Sequence, residues 1–317
     1  MAMKLCAWFN EISRHDVSLA GGKGANLGDM AQAGLPIPPG FVVCVPAFQA
    51  SAHRSGLTAQ LSQIISGLDL DDAGQLEATE QKAKQLFAQL SLNGELRQLI
   101  GEAYRDLGDN VSVAVRSSAT AEDLAGASFA GQQETFLNVV GEEQLLTAVR
   151  QCWASLYSAR AIFYRRQKGF ANSEVSMAVV IQKMINSEKS GVIFTVDPVL
   201  RNYYQMIIEG VWGLGEGIVS GMITPDHYKV DRETYEVVYE FIPAKDKMIV
   251  KDQLGGVATL SVPPERVSAP VLSQAELRQL VDLGNKIQQH FGCPQDVEWS
   301  VEAGQVYLLQ SRPITNL

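Results

Sequence analysis

The chain has 317 residues, of which 46% are hydrophobic and 19% charged, and its formal net charge is −9 at neutral pH. This composition predicts a globular protein of two or three structural units, and the acidic balance argues against nucleic acid or an anionic membrane as a partner. Its four cysteines lack zinc-site spacing and no apolar run is long enough for a signal peptide or a membrane span, so we expect a cytoplasmic protein.

The first 45 residues predict a short strand, a glycine-rich loop, a helix over residues 26–33 and a stop at Gly34. In the loop, AGGKGANLGDM, glycines flank Lys23 just before the helix. Backbone N–H groups at a helix N-terminus suit an anion, and the ammonium group of Lys23 adds a positive charge. The pattern fits a glycine-rich turn with a surface lysine equally well, and it is not a P-loop.

Apolar spacing predicts helices across residues 46–110, and a buried strand follows in VSVAVRSS. Arg116 emerges at the end of that strand, which is a common position for a catalytic group. Next comes a loop of small residues, SFAGQQET, in which Gly131 and Thr135 could donate hydrogen bonds to a polyphosphate. A surface loop with a salt-bridging arginine remains the alternative.

The segment VSMAVVIQKMI is almost continuously apolar and predicts a central strand. Gln182 and Met184 at its end could line an adenine pocket, although a buried methionine is more often part of a core. Further along, IIEGVWGLGEGIVSG lacks the glycine spacing of a dinucleotide-binding motif, which argues against NAD. Glu209 in this segment is a candidate ribose or metal contact.

The last third predicts strands and one strongly signalled helix. SGVIFTVDP and QMIIEGVWG have the apolar character of strands, and YKVDRETYEVVYEF has the pattern of a hairpin. The helix SQAELRQLVDLGNKIQQHFG begins with a capping box of Ser273 and Glu276 and ends at Gly292. The whole predicts an α+β (α/β) protein with mixed sheets.

A final hairpin is predicted in EWSVEAGQVYLLQSRP. A three-residue loop at Ala303–Gln305 would pair Glu302 with Val306 and therefore Glu298 with Gln310. The residues expected on the core-facing side are Val297, Trp299, Val301, Tyr307 and Leu309.

The other face of this hairpin would carry Glu298, Gln310 and Arg312, because side chains alternate along a strand. Carboxylate and amide oxygens are ligands that Mg²⁺ accepts, and a guanidinium group can bind phosphate oxygens in a fork. A solvated sheet surface is the alternative explanation of the same pattern.

Taken together, several segments resemble the nucleotide-binding domain at the N-terminus of phosphoenolpyruvate synthase, pyruvate phosphate dikinase and rifampicin phosphotransferase. The resemblance covers nearly the whole chain and is carried by GGKGANLGDM, GLPIPPGFVV, VAVRSSATAEDLAGASFAGQQETFLNV, VIQKMI, SGVIFTVDP, GLGEGIVSG and QDVEWSVEAGQVYLLQSRPI. It implies an ATP-grasp fold whose two lobes, residues 1–187 and 188–317, have mixed β-sheets and enclose an ATP cleft.

The resemblance also implies Mg²⁺ and ATP as cofactors, with catalytic roles for Lys23, Arg116 and Arg312. The implied contacts are Lys23 and Arg116 on the phosphates, Gly131 and Thr135 in a phosphate-covering loop, Gln182 and Met184 beside the adenine, Glu298 and Gln310 on Mg²⁺, and Arg312 on the transferring phosphates.

In this family ATP phosphorylates a histidine on a swivelling domain, in a Thr-x-His-Ala-type motif that this chain lacks. The resemblance therefore implies a dikinase-type enzyme that is incomplete without a phosphohistidine domain or subunit, in cis or in trans, which also binds the small-molecule acceptor. A synthase-like module is favoured. The alternatives are the ATP-binding domain of rifampicin phosphotransferase, the ATP-grasp subunit of phenylphosphate synthase, and a non-catalytic nucleotide-binding regulatory module.

Overall fold

The computed structural model describes residues 3–120, 134–167, 176–315 and 317. The chain divides into two compact units. Unit 1 comprises Met1–Asp29 and Pro39–Met184, and unit 2 comprises Met30–Pro38 and Ile185–Leu317. Among the described residues, no helix is both long and apolar enough to cross a bilayer.

Unit 1 combines a five-stranded sheet, in the order β1-β2-β5-β3-β4, with helices. The strands are β1 (Cys6–Trp8), β2 (Gly40–Val43), β3 (Val113–Ala119), β4 (Thr135–Val139) and β5 (Met177–Lys183). The helices are α1 (Val17–Gln32), α2 (Val45–Arg54), α3 (Leu57–Ile65), α4 (Ala73–Ala88), α5 (Gly94–Leu107), α6 (Glu142–Ser155) and α7 (Ala159–Gln167). The prediction of a central strand at VSMAVVIQKMI is confirmed, since β5 is the middle strand.

One face of this sheet is apolar and packs into the main core of unit 1. Val113 and Val115 of β3 and Val179 and Ile181 of β5 belong to the same buried cluster as residues of α2–α6. Because side chains alternate along each strand, the intervening residues point to the other face. That second face is the one that carries the candidate polar residues of unit 1.

The segment predicted as a glycine-rich loop is helical, and the helix predicted at residues 26–33 begins earlier, at Val17. Only Gly21 departs from helical geometry, with a φ of +67° and a ψ of 173°. The Ser118 hydroxyl fills this kink by donating to the Ala20 carbonyl at 2.8 Å and accepting from the Gly24 N–H at 3.1 Å. The backbone groups that lose their helical hydrogen bonds at the kink are thus paired with a side chain of β3. The helix propensity of the glycine-rich segment alone does not predict this contact.

Gly21→Ala should lower the free energy of unfolding by at least about 3 kcal/mol, through a strained φ and overpacking. A Cβ at residue 21 would lie 2.1 Å from the Ser118 carbonyl oxygen. Gly34→Ala is the matched control, because Gly34 has a φ of +68° but nothing within 4 Å of its Cβ position. It should cost only the backbone strain, about 1–2 kcal/mol. Equal losses for the two variants in denaturant unfolding would contradict the close packing of Gly21.

Unit 2 is built on a six-stranded sheet in the order β13-β12-β6-β7-β8-β9, with a separate β10-β11 pair. The strands are β6 (Lys189–Phe194), β7 (Gln205–Trp212), β8 (Asp226–Asp231), β9 (Val237–Phe241), β10 (Lys247–Lys251), β11 (Val257–Ser261), β12 (Gln295–Glu302) and β13 (Gln305–Pro313). The helices are α8 (Glu216–Val219) and α9 (Gln274–Phe291). The predicted hairpin at YKVDRETYEVVYEF is confirmed by the antiparallel β8–β9 pair.

Helix α9 covers one face of the six-stranded sheet. Its predicted capping box and its end at Gly292 are confirmed, with Gly292 in the left-handed conformation. A Cβ at Gly284 would lie 2.9 Å from the Met206 sulfur and 3.6 Å from Ile193, so the helix approaches the strands closely there. Residues on the opposite face of the strands are not covered by α9 and can form a site.

The final hairpin pairs Glu298 with Gln310 as predicted, but its turn and its register differ from the prediction. Its turn has two residues, Ala303 and Gly304 with φ of 50° and 76°, and it pairs Glu302 with Gln305 rather than with Val306. A bulge between the Glu298 and Trp299 pairings then shifts the register by one residue. Glu298 therefore lies opposite Gln310, as predicted.

The same shift corrects the predicted core side of β13. Val306 and Leu308 are buried, because they pair with Val301 and Trp299. Tyr307 and Leu309 are only partly buried, so their assignment to the core was wrong.

The α+β class is confirmed, with the refinement that the pairs between named strands within the described residues are antiparallel rather than mixed.

Candidate nucleotide-binding site

Arg116 lies in the middle of β3, not at its end as predicted, because the strand continues through Ser117 and Ser118 alongside β5. The residue is only 8% exposed and pairs across the β3–β4 ladder with Thr135. On the other side it lies opposite Val180 of β5. The sheet thus brings Arg116 and Thr135 together as neighbours on the face opposite the main core.

The kinked start of α1 packs on this same face. A Cβ at Gly24 would lie 3.2 Å from Val42 and 3.7 Å from Val180, so the helix passes close to the strands. Lys23 is part-buried and its ammonium donates to the Ser117 carbonyl at 3.1 Å. Lys23 is therefore bonded to the residue that follows Arg116, which places two cations beside one short length of β3.

Gln182 has the features of a residue that contacts a ligand. It is 2% exposed and lies between Gly40 and Ala114, the small residues opposite it on β2 and β3. Its side-chain nitrogen is buried and finds no hydrogen-bond acceptor among the described residues. Since leaving such a donor unpaired costs about 1–3 kcal/mol, a ligand with an acceptor nitrogen, such as adenine, fits this position.

Met184 follows β5 and is held by two neighbouring backbones. Its N–H donates to the Ser112 carbonyl at 2.9 Å, and its sulfur accepts from the Asn138 N–H at 2.9 Å. The thioether is only partly buried, so it is ordered without being sealed in the core. Gly131 lies outside the described residues.

The six-stranded sheet of unit 2 carries a polar row on the face away from α9. Cross-strand pairing places Gln310, Glu298, Val192, Glu209 and His227 side by side on successive strands. Directly opposite residues have Cβ atoms about 4.5–5.5 Å apart. The side-chain oxygens of Glu298 and Gln310 can therefore reach the same ion.

The neighbouring row begins with Arg312, which lies opposite Asp296. Both Nε and Nη2 of Arg312 donate to the same carboxylate oxygen of Asp296, at 2.8 and 2.7 Å. The Arg312 side chain remains 58% exposed, whereas that of Asp296 is 13% exposed. A largely buried carboxylate thus orients an exposed guanidinium beside Glu298 and Gln310.

Asp296 was missed in the sequence, although the predicted register already placed it opposite Arg312. Burial holds the pKa of Asp296 above its usual range, against the lowering effect of Arg312. The carboxylates of Glu298 and Glu209 raise this pKa further. The pKa of Asp296 therefore responds to two other carboxylates on the same sheet face.

Glu209 lies within β7, and its carboxylate is 3.0 Å from Nδ1 of His227. Both side chains are about a quarter exposed. The pairing between strands could not be found from the sequence, because β7 and β8 are joined by residues 213–225 and have no fixed spacing. His227 orients Glu209 next to Val192 in the polar row.

A magnesium ion fits the donor set of this row only in part. No group of three or more His, Cys, Asp or Glu residues within the described parts of the chain could hold a metal ion by itself. Mg²⁺, however, is usually bound by one or two protein oxygens together with phosphates and water. Glu298 and Gln310 could supply such a pair of oxygens.

The family model of the pyruvate phosphate dikinase AMP/ATP-binding domain matches residues 17–317. The chain belongs to this family. The predicted family resemblance is therefore confirmed, and the match includes both the Lys23–Arg116 region of unit 1 and the polar row of unit 2.

Curated relatives resemble the chain over all or nearly all of its length. It is 47% identical to a probable phosphoenolpyruvate synthase from Methanocaldococcus jannaschii and 40% identical to the phosphoenolpyruvate synthase of Pyrococcus furiosus, in both cases over 100% of the chain. It is 37% identical to rifampicin phosphotransferase from Bacillus cereus over 98% of the chain. The chain spans only 27%, 44% and 36% of these relatives, respectively.

Proposed function

We propose that the chain binds Mg-ATP through an ATP-grasp arrangement and transfers a phosphoryl group to a histidine on a separate swivelling domain or subunit, as in phosphoenolpyruvate synthase. Lys23, Arg116 and Thr135, with Gly131, would bind the phosphates, and the adenine would lie beside Gln182 and Met184. Glu298 and Gln310 would hold Mg²⁺, which supplies charge neutralisation at the phosphates. Arg312 would contact the phosphoryl group that is transferred.

The observation that carries this proposal is the alignment of Glu298, Gln310 and Arg312 on one sheet face, with Asp296 holding the guanidinium. Phosphoryl transfer requires little covalent chemistry from the protein, because the transition state is stabilised by positioned cations and a metal ion. An arginine fixed by the largely buried Asp296 carboxylate is already positioned for that role. The family membership of the chain supports ATP as the nucleotide.

The proposal is tested by incubating the protein and its histidine-bearing domain with Mg²⁺ and ATP labelled separately at the β and γ phosphates. We expect acid-labile, base-stable label on the histidine, and the two labels tell which phosphoryl groups move. A partner with the histidine replaced by alanine is the control. Tight ATP binding without any phosphohistidine would contradict the transferase assignment.

Such a result would favour the non-catalytic regulatory module. That reading requires ATP to stabilise the chain, since any ligand of the native state raises its melting temperature. It gives no reason for an exposed arginine to be held beside the side-chain oxygens of Glu298 and Gln310. The placement of Arg312 therefore favours the enzyme.

The final acceptor belongs to the partner and not to the residues described here. Pyruvate is favoured, because the two phosphoenolpyruvate synthase relatives named above are 47% and 40% identical to the chain, against 37% for rifampicin phosphotransferase. A rifamycin, or phenol as in phenylphosphate synthase, is the alternative. Product analysis with each acceptor in the complete system distinguishes them.

A further inference from the structure

The loop between β6 and β7 exposes more apolar surface than a solvated turn needs. Val199 is 85% exposed, Leu200 66%, Tyr203 49% and Tyr204 68%, all within six residues. Large exposed apolar groups that occur together commonly mark an interaction site. These four side chains, with the adjoining groove described below, are called the β6–β7 surface.

Hydrogen bonds hold this loop in one conformation. The Asp197 carboxylate accepts from the N–H groups of Val199 and Leu200, both at 3.0 Å, and from the Lys229 ammonium at 2.7 Å. Asp197 and Asn202 also exchange two backbone hydrogen bonds, at 3.0 and 3.1 Å. An apolar tip that is ordered before binding loses less conformational entropy when a partner covers it.

A groove of about 440 Å³ adjoins the tip, between Tyr203 and Tyr204 and the end of α9. Arg232 joins its two sides, because it donates to the Tyr203 carbonyl at 3.1 Å and, through Nε and Nη2, to the Asn285 side chain at 3.0 and 2.7 Å. The surface therefore combines a projecting apolar pair with a recess that has aromatic and polar walls. Protein interfaces use this combination of anchor and pocket.

The position of the loop links it to the polar row. The Thr195 N–H donates to the Gln295 carbonyl at 2.9 Å, and the Gln295 N–H donates to the Thr195 hydroxyl at 2.9 Å. The loop thus leaves the sheet next to Asp296, the residue that orients Arg312. The groove lies on the α9 side of the sheet and Arg312 on the other side, so a partner with a standard interface, about 800 Å² or roughly 30 Å across, would have to cover this end of the sheet to reach both.

We propose that the β6–β7 surface docks the histidine-bearing domain during phosphoryl transfer, an inference that rests on the proposed function. The relatives are more than twice as long as this chain, so further domains accompany this one in them. The acceptor imidazole must reach the phosphate held by Arg312, which requires its domain to cover the surface beside that residue. The docked domain would receive Val199 and Leu200 in an apolar recess and place a side chain in the groove.

The test replaces Val199 and Leu200 together by serine in the protein supplied with its histidine-bearing domain. We expect phosphohistidine formation to slow at least tenfold, while the dissociation constant for ATP and the melting temperature stay unchanged. Leu254→Ser is the matched control, since Leu254 is 94% exposed in the turn between β10 and β11. This control should transfer at the wild-type rate.

Amide hydrogen exchange of residues 197–204 tests docking independently of chemistry. We expect slower exchange when the histidine-bearing domain and Mg-ATP are present than in the chain alone. If wild-type protein shows this protection but no transfer, the proposed function fails and docking stands. Unchanged exchange, a double variant that transfers at the wild-type rate, or a dimer of this chain that the double variant dissociates would each overturn the docking proposal.

Discussion

Replacing Arg312 with alanine is expected to slow phosphoryl transfer by at least about 1,000-fold, the lower end of what a transition-state arginine contributes. The guanidinium is fixed by Asp296 on the face that also holds Glu298 and Gln310. Removing it would take away a positive charge that is already in position when negative charge moves between the phosphates. Single-turnover transfer of labelled phosphate to the partner histidine measures the loss.

The fold should survive this substitution, because the exposed guanidinium contributes only about 0–1 kcal/mol and the largely buried Asp296, whose pKa burial already raises, can take up a proton once Arg312 is gone. Denaturant unfolding should show a loss of that size. Arg278→Ala on the exposed side of α9 is the control for a general loss of positive charge. A variant at Arg312 that transfers at the wild-type rate would show that the residue is only a surface ion pair.

Replacing Glu298 with glutamine is expected to raise the Mg²⁺ concentration for half-maximal transfer at least about tenfold, as losing a charged ligand does. The amide keeps the size of the side chain and its place opposite Gln310, but removes one negative charge from the row. Removal of that charge should also lower the pKa of Asp296, which Glu298 raises. A magnesium titration at saturating ATP measures the first effect, and NMR of the Asp296 carboxyl group measures the second.

Glu240→Gln is the matched control, because Glu240 is exposed on the edge strand β9. It changes the net charge equally without touching the polar row. If Glu298→Gln leaves the magnesium titration unchanged while Arg312→Ala abolishes transfer, the ion must be held elsewhere. That combination would contradict the role of Glu298 and leave the role of Arg312 intact.

Local patterns predicted the elements of this chain better than its contacts. The periodicity of α9 and the apolar run of β5 were sufficient to predict these two elements. Helix caps and strand burial depend on residues within the same short segment. The structure of the glycine-rich segment could not be predicted in this way, because its kink at Gly21 depends on Ser118, which is nearly a hundred residues away in sequence. Similarly, the neighbourhood of Glu209 and His227 arises from strand order, which spacing does not determine.

The hairpin shows a prediction that was right for a partly wrong reason. The loop length was overestimated by one residue, and the unpredicted bulge compensated for the error. Asp296 could have been found from the same register, because it lies two residues before Glu298 and opposite Arg312. Sequence pattern identified the charged groups of the site, while their mutual orientation required the structure.

The bulge between the Glu298 and Trp299 pairings also determines where this domain can tolerate alteration. Beyond it, Gln310 and Arg312 are aligned by their pairs with Glu298 and Asp296 of β12, a strand that β6 holds on its other side. An engineer could therefore open the chain at the tip, Ala303 and Gly304, to make new termini or to insert a reporter, without turning the charged residues to the other side of the sheet. Deleting the single extra residue, Leu309, would remove the bulge and keep Gln310 opposite Glu298 and Arg312 opposite Asp296, whereas deleting Ser311 would bring Arg312 opposite Val297 on the buried side of the sheet.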